Sequence, residues 1–179
     1  KDRSMVGELV IDRQATSANP GRHFSVLGTL NIEGVTLTGG YDISGSMGGA
    51  VNVNGGTAIF TSCKLNKNAA GMGGGAVYVT GPASGGGSAT FNSCTLSENT
   101  LDGDLAAIGG GAVYVYGGSA SFTSCTLNGN TAYNGGAVYV TSGGSAIFTG
   151  CTIWGNTANP GAGGVVDVSG AGSVTFIDC

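Results

Sequence analysis

The chain alternates short stretches in which every second residue is apolar with stretches rich in glycine. The apolar stretches have a period of two, as in Val-x-Val, Ala-x-Phe and Cys-x-Leu, which is typical of β-strands. No apolar period of 3.6 residues continues long enough to predict a helix. The glycine-rich segments between the stretches are typical of turns. The pattern therefore predicts an all-β protein made of short strands.

Two sequence blocks recur along the chain. The first is Gly-Gly-Ala-Val-x-Val, at 48–53, 74–79, 110–115 and 135–140, with the variant Gly-Gly-Val-Val-Asp-Val at 163–168. The second block places a phenylalanine three residues before a cysteine, and successive cysteines are 31, 31, 26 and 28 residues apart. Its members are Phe60, Phe91, Phe122, Phe148 and Phe176, with Cys63, Cys94, Cys125, Cys151 and Cys179. Self-similarity at this period indicates a solenoid, a propeller or a repeat array.

The repeat favours a right-handed parallel β-helix with three short strands in each coil. We predict about six coils of roughly 26–31 residues, stacked at the strand spacing of about 4.8 Å. Leucine-rich repeats need Leu-x-x-Leu-x-Leu, which is absent, and propeller blades need four strands per unit. We expect one β-helix domain over 1–179, with irregular N-terminal coils at 1–47 and regular repeats at 48–179. Because Cys179 lies inside a repeat block, we also expect the chain to be an excerpt of a longer repeat protein.

Stacking brings equivalent residues above one another, so the repeat predicts internal ladders. We expect the phenylalanines and cysteines of the second block to point into the core, beside the valines of the first. An asparagine follows each of the first four cysteines by five residues, and stacked amides can hydrogen-bond from coil to coil. These asparagines are Asn68, Asn99, Asn130 and Asn156. The cysteines are expected to be free thiols acting as small hydrophobes, with disulfides between adjacent coils as the alternative.

A row of tyrosines occupies the outward position of the Val-x-Val strands. Tyr78, Tyr114 and Tyr139, with Tyr116 alongside, predict an interaction face, since aromatic residues are enriched in protein interfaces. The alternative is that tyrosine simply favours exposed strand positions. Asp167 is the one acidic residue in this row, with no cation near it in the pattern, so we predict no catalytic residues.

Charge and ligand spacing restrict the function further. The net charge is −4, and all six basic residues lie within the first 67 positions. Clustered cations are needed to bind phosphate backbones, so neither nucleic-acid nor anionic-membrane binding is expected. No run of 18 apolar residues predicts a membrane span. We expect no cofactor and no metal, because Cys-x-x-Cys repeats are missing and Asp102 and Asp104 alone are too few ligands for calcium.

The two blocks resemble the repeats of polymorphic outer membrane proteins and related right-handed β-helix surface proteins. In that family Gly-Gly-Ala-(Ile/Leu/Val) alternates with Phe-x-x-Asn. The first motif is matched by Gly49-Ala50-Val51, Gly75-Ala76-Val77, Gly111-Ala112-Val113 and Gly136-Ala137-Val138, whereas cysteine replaces the asparagine of the second motif every time. The resemblance covers roughly residues 22–179. It implies a fold that is used by adhesins, passenger domains and polysaccharide lyases.

We therefore expect a non-enzymatic structural or adhesive β-helix shaft, extracellular or on the cell surface, as a subunit of a surface filament or appendage. The expected partners are other protein subunits, by self-association or as fibre neighbours, and surface glycans. One alternative is a carbohydrate-active β-helix of the lyase or hydrolase type, whose catalytic residues lie outside this segment. Another is an ice-binding protein that uses an irregular threonine-rich face. That face carries Ile59, Thr61, Thr90, Asn92, Ser121, Thr123, Ile147, Thr149, Thr175 and Ile177.

Overall fold

The computed structural model of the chain describes residues 9–16, 18–81, 86–102, 108–159 and 163–179, with the side chains of 43–46 left aside. It is an all-β, right-handed parallel β-helix, as the repeat predicts. No helix occurs among the described residues. It follows that this part of the chain holds no helix that is long and apolar enough to cross a membrane.

Four parallel sheets run along the β-helix, and we name each after its residues. The valine sheet contains β2 (Phe24–Val26), β6 (Val51–Asn54), β10 (Val77–Thr80), β15 (Val113–Tyr116), β19 (Val138–Thr141) and β23 (Val166–Val168). The phenylalanine sheet contains β3 (Thr29–Glu33), β7 (Thr57–Thr61), β11 (Ser88–Asn92), β16 (Ser119–Thr123), β20 (Ser145–Thr149) and β24 (Ser173–Ile177).

The other two sheets complete each coil. The leucine sheet contains β1 (Leu9–Asp12), β4 (Val35–Thr38), β8 (Lys64–Asn66), β12 (Thr95–Ser97), β17 (Thr126–Asn128) and β21 (Thr152–Trp154). The turn sheet contains β5 (Tyr41–Met47), β9 (Ala69–Gly74), β13 (Thr100–Leu101), β14 (Gly109–Gly110), β18 (Thr131–Ala132) and β22 (Thr157–Ala158).

The chain passes through the valine, phenylalanine, leucine and turn sheets in the same order in every coil. Within the described residues, β2 to β22 make about five such circuits, and β1, β23 and β24 belong to partial ones. The three strands predicted per coil are present. Each coil also contributes to a fourth sheet, the turn sheet, which the sequence pattern did not predict. Its strands consist mostly of glycine, alanine and threonine, so they carry no alternating apolar pattern for sequence reasoning to find.

The pairing register aligns equivalent residues of successive coils. Phe91 pairs with Phe60 on one side and Phe122 on the other, and the strands around them match residue for residue. The N-terminal coil at β2 to β4 follows the same register, although it lacks the cysteine and the asparagine. Irregularity enters at β5, where the pairing with β9 shifts between Asp42 and Met47.

Stacked phenylalanines form the centre of the core. Phe60, Phe91, Phe122 and Phe148 are buried, with ring centroids 5.0, 4.8 and 4.5 Å apart and ring planes within 7° of parallel. Phe176 continues the stack at 4.9 Å but is 51% exposed. It pairs in register with Phe148 and so occupies the same position of its strand as the buried phenylalanines.

Each coil turns two corners through residues with positive φ. One such residue precedes each cysteine, and the other precedes each asparagine. At the asparagine corner the residues are Lys67, Glu98, Gly129 and Gly155, with φ between 53° and 65°. This left-handed conformation is costly for residues other than glycine. The repeats that already carry glycine here have the residue that the corner favours.

At this corner we expect Glu98→Gly to stabilise the protein by about 0.5–1 kcal/mol, because glycine relieves the positive φ. The ion pair that is lost is small, since Glu98 and Lys67 lie 3.9 Å apart and are both exposed. The reverse change, Gly129→Ala, should cost about 1 kcal/mol through the backbone alone, because the added methyl group meets no atom closer than 3.6 Å. Urea unfolding midpoints measure both changes. Unchanged midpoints in both variants would show that these corners store no strain.

Candidate functional surfaces

The asparagines form a hydrogen-bonded ladder inside the corner between the leucine and turn sheets. Asn99 is fully buried, and its Nδ2 donates to the carbonyl oxygen of Leu65 and to Oδ1 of Asn130, both at 2.9 Å. Its own Oδ1 accepts from the backbone N and from Nδ2 of Asn68, both at 3.1 Å. Both donor hydrogens and two acceptor positions of this amide are therefore used.

The same contacts repeat along the chain. Asn68 and Asn130 each donate to a leucine carbonyl of the preceding coil and to the next asparagine. Asn156 continues the ladder with Nδ2 2.9 Å from the carbonyl oxygen of Leu127. Each coil is thus joined to its neighbours by buried side-chain bonds in addition to the strand pairing. Buried polar groups that are fully satisfied in this way make a coil geometry specific.

The cysteines form a second internal row, and all five are free. Cys63, Cys94, Cys125 and Cys151 are buried. Cys179 is exposed, but its Sγ lies 3.3 Å from the backbone N of Cys151 and continues the row. Each buried thiol lies within hydrogen-bonding distance of two carbonyl oxygens, at 3.3–3.5 Å. Contact with the thiols of Cys125 and Cys63, together with burial, raises the pKa of Cys94. Burial also raises the pKa of Cys151.

We expect alkylation of the native protein to modify Cys179 alone, and denaturation to open all five thiols. The reason is that burial keeps the reagent away from the four inner thiols. The raised pKa values of Cys94 and Cys151 also disfavour the reactive thiolate. The pKa values of Cys63 and Cys125 are lowered by hydrogen bonding from Cys94, so their protection depends on burial alone. Iodoacetamide labelling followed by mass spectrometry measures this site by site. Rapid native labelling of Cys94 or Cys125 would contradict the buried row. Cysteines that stay unlabelled after denaturation without a reductant would instead reveal disulfides.

The tyrosine row differs from the expectation. Tyr78, Tyr114 and Tyr139 are only 6%, 6% and 8% exposed, so they are not an open interaction face. Their rings lie in a row along the outside of the valine sheet, with centroids 5.3 and 5.2 Å apart, and Met47 packs against them. Burial accordingly raises the pKa of the Tyr78 hydroxyl. Of the four predicted residues only Tyr116 is exposed, at 44%.

Several charged or titratable groups contact one another or the backbone in the N-terminal coil. Nε2 of His23 lies 3.0 Å from the carbonyl oxygens of both Ile11 and Thr38, and burial lowers its pKa. Arg22 pairs with Asp42 at 2.8 Å. No group of three or more potential metal ligands occurs among the described residues. Of the loop considered for calcium, residues 103 and 104 lie outside the described part, so only Asp102 is seen.

The outer face of the leucine sheet presents one large aromatic residue. Trp154 is 59% exposed and lies in register with Asn128, Ser97 and Asn66 of the preceding coils. The Oδ1 atom of Asn66 is buried without a hydrogen-bond partner. The sequence analysis did not single out Trp154, because its outward position becomes clear only when its strand is aligned with the equivalent strands of the other coils. Tryptophan is one of the residue types that are enriched in protein interfaces.

The outer face of the phenylalanine sheet is rich in hydroxyl groups, and we call it the hydroxyl face. It contains the threonine-rich positions expected from the sequence and one further column that the sequence reasoning missed. That column lies three residues before each phenylalanine and contains Thr57, Ser88, Ser119, Ser145 and Ser173. Hydroxyl groups of neighbouring coils touch, since Oγ of Ser88 and Oγ1 of Thr57 are 3.2 Å apart, as are Oγ of Ser121 and Oγ1 of Thr90.

Comparison with known protein families, with curated proteins and with solved structures found no match for this chain. The likeness of its repeats to those of polymorphic outer membrane proteins therefore rests on the motifs alone. The parallel β-helix itself is established by the strand pairing.

Proposed function

We propose that the chain is a non-enzymatic structural or adhesive β-helix shaft, extracellular or on the cell surface, and a subunit of a surface filament or appendage. The observation that carries this proposal is the continuity of the internal ladders. The asparagine ladder and the phenylalanine stack both pass from coil to coil through the regular repeats. Such ladders resist bending and separation of the coils, which are the loads that a shaft carries.

The burial of the core supports the same role. The inward valines, leucines and phenylalanines of the middle coils are fully buried, although each coil contributes only a few residues to the core. In a solenoid, stability is the sum of each repeat and its contacts with the two neighbours. Strong contacts between neighbours therefore favour a rod whose length can be set by the number of repeats.

We assign the contacts with partner molecules to the outer faces of the leucine and valine sheets. Trp154 and Tyr116 are exposed aromatic residues on the leucine and valine sheets, and aromatic residues are enriched in protein interfaces. They support binding either to neighbouring protein subunits or to surface glycans. The repeat motifs, similar to those of polymorphic outer membrane proteins, agree with a surface location.

The test is to locate the protein and to assay its chemistry. Antibodies raised against the folded chain should, by immunogold electron microscopy, label filaments or the outer surface of intact cells of the organism that makes it. Label confined to the cell interior would refute the surface role. A second assay incubates the protein with pectate, alginate and neutral glucans and follows unsaturated or reducing ends. Product release would favour the carbohydrate-active alternative.

A further inference from the structure

The hydroxyl face is a periodic array of uncharged side chains. Six strands contribute three outward positions each, and the structure describes all of them. Twelve of these eighteen side chains are serine or threonine, three are isoleucine and two are asparagine, and Glu33 is the one charged residue. The array is therefore built for hydrogen bonding without charge.

The array is also regular in two directions. The strands of this sheet pair residue for residue from β3 to β24 without a shift in register. The phenylalanine rings beneath the central strands are 4.5–5.0 Å apart and tilt by only 3–7° from one coil to the next. The even spacing of the rings shows that the coils beneath this face repeat regularly. The outward positions consequently repeat every ~4.8 Å across the strands and every ~6.6 Å along them, and most of them carry a hydroxyl group.

A neutral and periodic face matches a ligand with the same properties. Small molecules generally bind in concave pockets that cover most of their surface. The hollow on this face is open and lies at its N-terminal end, lined by Asn31, Glu33, Ile59 and Thr61, so it covers only a small part of the array. A charged polymer or membrane would need many opposite charges on the protein, and only Glu33 is charged here. The surface of an ice crystal is neutral, flat and periodic at a few ångströms in two directions, and it both donates and accepts hydrogen bonds.

We propose that the hydroxyl face binds ice. Its serine and threonine hydroxyl groups anchor water molecules at the spacing of the array. The methyl groups of threonine and of Ile59 and Ile147 leave the water between these anchors without competing polar partners. Apolar groups restrict the orientation of the water next to them, which favours an ordered layer. Binding of this kind adds to the shaft role and does not depend on it.

Crystalline polysaccharide is the other periodic neutral surface that could meet this face. Sugar rings characteristically stack on aromatic side chains, and the outward positions of these six strands hold none. The exposed Trp154 and Tyr116 belong to the leucine and valine sheets. The hydroxyl face therefore favours ice over a glycan surface.

Ice-affinity partitioning and thermal hysteresis of the purified chain test the proposal. The wild-type protein should concentrate in a slowly grown ice hemisphere and should shape ice crystals. Ser121→Tyr places a bulky ring in the middle of the array and should lower the ice-bound fraction about tenfold, equivalent to about 1.4 kcal/mol. Thr126→Tyr is the matched control, because Thr126 lies outward on the neighbouring leucine sheet in the same coil. It should bind ice as the wild type does.

Circular dichroism shows whether each variant is folded, and Thr90→Tyr, one coil away, replaces Ser121→Tyr if that variant is not. Exclusion of the folded wild-type protein from ice would overturn the proposal. Equal losses in the Ser121 and Thr126 variants would overturn it too, because ice would then not be bound by this face. Binding to microcrystalline cellulose or chitin without binding to ice would assign the face to a glycan. Immunogold labelling tests the shaft role separately, so failure of either proposal is recognisable on its own.

Discussion

Replacement of Phe122 by alanine is expected to lower the free energy of unfolding by about 3–5 kcal/mol. The Phe122 ring is 1% exposed and lies between the rings of Phe91 and Phe148, at 4.8 and 4.5 Å. Truncation removes the buried ring and leaves a cavity between two parallel aromatic faces. Those faces belong to paired strands on both sides, which limits how far the site can collapse. Urea denaturation followed by circular dichroism measures the change.

Phe176→Ala is the matched control for this prediction. Phe176 occupies the same place in its coil and stacks on Phe148 at 4.9 Å, but it is 51% exposed. Removal of its ring leaves no enclosed cavity, so we expect the free energy of unfolding to fall by about 1 kcal/mol or less. Similar costs for the two variants would mean that burial between coils does not determine the contribution of the phenylalanine stack.

Most of the fold could be predicted because a β-helix places equivalent residues of successive coils in contact. A residue type that recurs once per repeat must then lie above itself, and its chemistry identifies the environment. Phenylalanine at this position, as in Phe91, requires the core, and asparagine, as in Asn99, requires a place where its amide finds partners. The structure pairs or bonds these residues with their counterparts in the next coil.

The tyrosines mark the limit of this reasoning. A period of two tells which side of a strand a residue occupies, but not whether another layer covers that side. Tyr114 points outward, as expected, yet it is buried by the tyrosines on either side and the residues around them. Whether an outward face is covered depends on packing outside the coil, which the repeat does not encode.

The hydroxyl face was incompletely predicted for a different reason. Its central columns look irregular in sequence, since isoleucine and serine interrupt the threonines, as at Ile59 and Ser121. The column that contains Ser88 and Ser119 is regular, but its small residues lie next to glycine and look like part of a turn. The hydroxyl contacts between coils, as between Ser88 and Thr57, depend on the pairing register and could not be obtained from residue types alone.

Asn99→Ala is the second substitution for which we expect a large loss of stability, about 2–6 kcal/mol. It would leave the backbone N–H of Asn68 without its acceptor and the carbonyl oxygen of Leu65 without the Nδ2 donor of Asn99. Nδ2 of Asn68 would keep its bond to the carbonyl oxygen of Leu37. Each buried donor or acceptor left unsatisfied costs about 1–3 kcal/mol. Asn92→Ala is the control, because Asn92 lies on the outer hydroxyl face, where the expected change is within about 0.5 kcal/mol.

The Asn99 variant also tests whether the ladder makes the rod cooperative. Asn99 lies midway along the ladder, and solenoid stability depends on contacts between nearest neighbours. Weakening that contact should let the two halves unfold separately, which lowers the slope of the free energy of unfolding against urea concentration. A lower midpoint with an unchanged slope would mean that strand pairing and the phenylalanine stack suffice to couple the coils. If Asn99→Ala costs no more stability than Asn92→Ala, the asparagine ladder does not stabilise the stack of coils and does not support a rigid shaft.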